Sequence, residues 1–177
     1  GLILSASVLA TFAGSTASTV LAGSPAGQKS IDPTTVLATA TKELAAGNAV
    51  RAREMLLALS SLNMNDSERS RTNELLRQAD LKVRAMEPRL VNLQRAQLAY
   101  ERDDLVAAQR LASGVANGPQ DATRAGAEAL LRKIEIRKSE LQPEVNAKLT
   151  QAAAAFDAND FERSKGVLDS VSKWGTD

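Results

Sequence analysis

Three stretches of the chain place small and large apolar residues at the same spacing. The first passes through Ala40, Leu44, Gly47, Ala52 and Leu56, the second through Ala96, Tyr100, Asp103, Ala108 and Ala112, the third through Ala152, Phe156, Asn159, Ser164 and Leu168. Every position recurs after 56 residues, without a gap. A small residue followed four positions later by a large apolar one lies on one helix face, and the small one admits a close neighbour. Gly47, Asp103 and Asn159 are of the types that accept a left-handed backbone just past a helix end. The second small residue and the apolar one after it then begin a return helix. The pattern predicts a helical hairpin with a short turn, three times over. It places Leu44, Tyr100 and Phe156 in equivalent interior positions, and Ala108 against a close neighbour.

Between hairpins the pattern predicts a third helix. Asp66 or Ser67 caps one running to about Met86, with Leu75, Ala79 and Val83 on one side; Asp121 caps another running to about Leu141, with Ala127, Leu131, Ile134 and Leu141 in that role. Pro33, Pro88 and Pro143 mark the starts of the three hairpins, because proline suits a first helical turn and breaks a deeper one. The units are then 33–87, 88–142 and 143–177, the first two with three helices each, and the third stopping after its hairpin as expected of a truncated chain. Glu128 with Arg132 and Asp80 with Arg84 have the i, i+4 spacing of ion pairs on a solvated face. The stripe Leu75-Ala79-Val83 is too short to argue a coiled coil.

Composition narrows the fold class to all-α: aromatic residues are 3% of the chain, and no window alternates β-branched and polar residues. Lys plus Arg total 22 against 21 Asp plus Glu, so a net charge of +1 offers no field for nucleic acid or an anionic membrane. The chain has no Cys and no His, which removes disulfides, thiolate chemistry and the commonest metal ligand and general base. No catalytic, cofactor-binding or metal-binding residue is singled out, and the expectation is a protein that is not an enzyme, with no cofactor and no small-molecule substrate. The acidic clusters Asp103-Asp104 and Asp157 to Glu162 do not fit a calcium loop, since counting from Asp157 puts Phe161 at the fifth position and Glu162 at the sixth. Both clusters fall in the turn column, where helix termination explains them.

Residues 1–22 read as a signal-peptide remnant or a membrane anchor and 23–32 as a flexible linker. No charged side chain occurs from Gly1 to Gln28, and the apolar run to Gly14 has the length of a signal-peptide core. Val20-Leu21-Ala22 and Ser15-Thr16-Ala17 offer cleavage sites. The chain starts with Gly and lacks a basic leader, as expected of a fragment whose start lies upstream. Membrane contact is expected only through this segment, if it is not cleaved.

The aromatic residues Tyr100, Phe156 and Phe161 are read as core rather than as anchors for a bound peptide, and Trp174 as packing against a helix that would follow. Asn65-Asp66-Ser67 is formally a glycosylation acceptor, but it coincides with a helix N-cap.

The order small, large four later, Gly/Asn/Asp three later and Ala five later resembles the tetratricopeptide repeat over about 40–62, 96–118 and 152–174. The chain departs from that family in its period, 56 residues against about 34, and in lacking a Trp-x-x-Leu-Gly opening. The resemblance implies a right-handed α-solenoid of helical hairpins with an extra helix per repeat, whose groove binds polypeptide. With the N-terminal segment, it leads to an exported scaffold in the periplasm or cell envelope that binds a protein or peptide partner. The organisation is also similar to the N-terminal region of larger bacterial envelope proteins such as secretins, which would make the chain a spacer or docking domain. A third reading is a helical accessory region of an enzyme whose catalytic domain lies beyond residue 177.

Overall fold

A computed structural model of the chain describes residues 32–175. The expected signal or anchor segment, and all of the expected linker except Asp32, lie outside the described residues. The described residues are all-helical: α1 (Pro33–Ala45), α2 (Ala49–Ser60), α3 (Asp66–Ala85), α4 (Pro88–Glu101), α5 (Leu105–Ala116), α6 (Ala122–Asp157) and α7 (Phe161–Val171), followed by a single 3₁₀ turn, Ser172–Trp174. The Asp32 carboxylate accepts the backbone N–H groups of Thr34 and Thr35 at 3.1 and 3.2 Å, and Pro33 stands where a missing N–H costs nothing.

The turn column folds the same way in all three hairpins. Gly47, Asp103 and Asn159 adopt φ of 85°, 54° and 59°. The next residue in each case, Asn48, Asp104 or Asp160, donates its N–H at 2.9 Å to the carbonyl five positions back, at Glu43, Ala99 or Ala155. This is the Schellman arrangement, which satisfies carbonyls that a helix end leaves free. Asp104 and Asp160 then cap the return helix through their carboxylates, which accept from the N–H groups of Ala107 and Arg163.

Each of the first two hairpins is closed by a third helix. α1 and α2 pack together and α3 packs on both; α4 and α5 pack together and the N-terminal part of α6 packs on both. The C-terminal part of α6 then pairs with α7 as the third hairpin. Apolar burial is divided accordingly. Leu37, Leu44, Leu56, Leu59, Leu75 and Ala79 belong to a core within α1–α3, and Leu93, Leu105, Ile134, Leu141 and Val145 to a second within α4–α7. Between the two cores α2 lies against α4, and part of the contact is polar. The Gln94 side chain accepts from the Val50 N–H at 3.2 Å and donates to the Gly47 carbonyl at 3.0 Å, so it serves an otherwise unpaired group of the α2 N-terminus and one of the turn.

Several sequence expectations need correction. Pro143 does not start a helix: α6 runs unbroken through it for 36 residues. A proline inside a helix removes a hydrogen bond and crowds the preceding turn, at a cost of roughly 3 kcal/mol. The offset comes from the core, because Leu141 and Val145 flank Pro143 one turn apart and both are buried with Ile134 in the same cluster. At Pro88 no shared core spans the break, and Met86 and Glu87 take extended ψ of 150° and 133°. The cap of α3 is Asn65 rather than Asp66 or Ser67, with Glu68 completing a capping box. On α6, Leu130 is buried and Leu131 only partly so. Neither expected charge pair forms. Glu128 bonds to Arg124 at 2.7 Å, and Asp80 reaches across to Arg53 on α2 at 2.6 Å, where a helix–helix contact is available in place of a local one.

Candidate binding face

The 56-residue spacing holds for further apolar columns. Leu37, Leu93 and Leu149 recur at the same 56-residue step, as do Ala49, Leu105 and Phe161, and also Leu59, Val115 and Val171. Three columns are buried in every hairpin: Ala40, Ala96 and Ala152; Ala52, Ala108 and Ser164; Leu59, Val115 and Val171. These hold the two helices of each hairpin together or against the preceding unit. The other four apolar columns are buried or partly buried in the first two hairpins only. In the third, Leu149 is 45% exposed, Phe156 59%, Phe161 55% and Leu168 44%.

The expectation that Phe156 and Phe161 are core residues is therefore overturned, whereas Leu44 is buried and Tyr100 packs partly buried against the second core. The reason is the third helix. α3 covers the first hairpin and the N-terminal part of α6 the second, while among the described residues no third helix covers the third. Phe156 and Phe161 meet each other instead, edge to face, with ring centroids 5.3 Å apart at 70°. Trp174 is also not as expected. It is buried in the second core, and its 3₁₀ turn packs against α5 and α7.

The covering helices carry a repeat of their own, which a single 56-residue step hides because it recurs after 55. Leu75-Leu76-Arg77-Gln78-Ala79-Asp80-Leu81-Lys82 on α3 matches Leu130-Leu131-Arg132-Lys133-Ile134-Glu135-Ile136-Arg137 on α6. The two leucines and the Ala/Ile position face the hairpin, buried or partly so. The acidic position meets the return helix: Asp80 pairs with Arg53, and Glu135 accepts from Gln109 at 3.4 Å. The basic position meets the turn: Lys82 donates to the Leu44 carbonyl at 2.8 Å, and the Arg137 guanidinium to the Asp103 carboxylate at 3.1 and 3.4 Å. On the third hairpin the position of Arg53 and Gln109 is taken by Lys165, which is exposed.

Two other concavities are less suited to a ligand. A groove of about 220 Å³ between α2 and α4 is lined by Asn48, Arg51, Gln94 and Glu101. Its charges are already used, since Arg51 bonds to Glu101 and stands 3.7 Å from Glu43. A shallow hollow of about 420 Å³ between α4 and α6 has Tyr100, Leu130 and Lys133 on its walls. The shifted titrating groups lie elsewhere and follow from hydrogen bonds and ion pairs. Arg89 beside it holds the Asp121 carboxyl below the usual carboxylate range, and hydrogen bonds from Arg77 and then Gln78 bring Glu74 down to about 2. Among the described residues no three Asp or Glu side chains converge as a metal site would need, and no helix is long and apolar enough to cross a membrane.

No model of a known family, no curated protein and no solved structure matches the chain.

Proposed function

We propose that the chain is an exported, non-catalytic scaffold of the bacterial cell envelope that binds another protein, built as a right-handed solenoid of tetratricopeptide-like hairpins with an added helix per unit. The observation that supports this reading is the exposure, among the described residues, of apolar side chains on the third hairpin. Two aromatic and two leucine side chains stand about half exposed at positions that the same chain buries elsewhere. Exposed apolar surface, here with Phe156 and Phe161 in contact, marks interaction sites in soluble proteins. The uncharged leader supports export, and the lack of His and Cys supports a role without catalysis.

A photo-reactive amino acid at Leu168 or Leu149 tests the reading in the native cell. The expected result is a discrete protein adduct in the envelope fraction, absent when the probe sits at the solvated position Arg71. Adducts at neither face position, or a chain that stays in the cytoplasm, would contradict it.

A further inference from the structure

The three methionines of the chain, Met55, Met64 and Met86, all pack against the core of α1–α3, each of them half-buried. We infer that this first unit is an oxidation-sensitive element: a peroxide converts the three thioethers to sulfoxides and so loosens α3 from α1 and α2, while the second unit stays packed. The inference is independent of what the chain binds.

The two units differ at the sulfur positions. Met55 recurs after 56 residues as Leu111 and Met86 after 55 as Leu141, and both leucines pack in the second core. Met64 stands directly before the Asn65 cap of α3. Its counterpart Gln120, before the Asp121 cap of α6, is exposed. There the helix start is tied down by Arg89, which donates to the Asp121 carboxylate at 2.6 Å and to the Pro119 carbonyl at 3.2 Å. The same packing of helix on hairpin is thus built once with thioethers and once with groups that mild peroxide leaves alone.

Met64 and Met86 stand at the two ends of α3. Met86 caps its C-terminus, and Met64 Sδ lies 3.5 Å from the hydroxyl of Thr72, a fully buried side chain that also donates to the Glu68 carbonyl at 2.8 Å. Half-burial meets both needs of such a device, since a small oxidant reaches the sulfur and the product alters the packing. In the reaction the peroxide O–O bond breaks, one oxygen bonds to sulfur and the other leaves as water; sulfur gives up two electrons and the peroxide takes them. A flexible apolar side chain becomes a polar one. Its oxygen needs a donor, and beside Val36, Leu76 and Val83 it is costly to bury unpaired, so α3 moves outward and admits water.

Hydrogen peroxide is the probe, applied to the full chain until mass spectrometry shows an added oxygen on each methionine. Hydrogen exchange is then read segment by segment. Exchange is expected to quicken about tenfold or more in α1–α3 and to stay unchanged in α4, α5 and the N-terminal part of α6. The combined variant Met55→Leu, Met64→Leu and Met86→Leu conserves side-chain volume and should lose the response. Reducing the sulfoxides with methionine sulfoxide reductases and a dithiol should restore protection. Unchanged exchange after complete oxidation overturns the inference, and so do methionines that stay reduced at a peroxide concentration sufficient for free methionine. Loosening of both units together, a response that survives in the leucine variant, or loosening that persists after reduction also overturns it. The reverse exchange, Leu111→Met with Leu141→Met, gives a comparison that does not depend on how the leucine variant folds: peroxide should now loosen the second unit as well, and a second unit that stays protected contradicts the inference.

Discussion

The first and third hairpins have nearly the same internal architecture and opposite surfaces. Both turn through a left-handed residue, both pack helix on helix through Ala40 with Ala52 or Ala152 with Ser164, and both bury the column of Leu59 and Val171. They differ where a third helix lies on one and not on the other. Leu56 is fully buried, and its equivalent Leu168 is not. Burial is therefore a property of the assembled unit and not of the column. In the first two hairpins the core is completed by the helix packed on them.

The comparison can be broken most forcefully at Leu56. Replacing it by Ala should cost about 2–5 kcal/mol, as buried leucines do. The same change at Leu168 should stay within about 1 kcal/mol, and equal losses in urea denaturation would refute the difference between the hairpins. Ala108→Leu comes next. The site is fully buried between α5 and its neighbours, so added methylenes should overpack it by about 1–3 kcal/mol. An unchanged melting temperature would mean that the helices do not approach closely there. Phe156→Ala should have the smallest effect, no more than about 1 kcal/mol, because it loses chiefly an exposed edge-to-face contact with Phe161. A loss of about 3–5 kcal/mol would return Phe156 to the core.

What was legible in the sequence was whatever local chemistry decides. Gly47, Asp103 and Asn159 announce their turns because few other residues accept that backbone, and Pro33 and Pro88 announce helix starts. Pro143 misled because its own preference was overridden by Leu141 and Val145, whose shared core depends on contacts remote in sequence. Phe156 misled for a related reason: a recurring apolar column presumes a recurring cover. The two leucine-rich segments of α3 and α6 went unread because their 55-residue step falls out of phase with the hairpins. Charged partners were legible as a face but not as pairs, since Asp80 chooses Arg53 on another helix over Arg84 on its own.

The column of Leu37, Leu93 and Leu149 gives the most direct test, because it compares one residue type at three equivalent places. Hydroxyl-radical footprinting of the full chain should find Leu37 and Leu93 protected and Leu149 oxidised at the rate of a solvent-facing leucine, as their burial requires. Equal protection of all three would show that the third hairpin is closed, and the account of a hairpin whose apolar columns are exposed would fail.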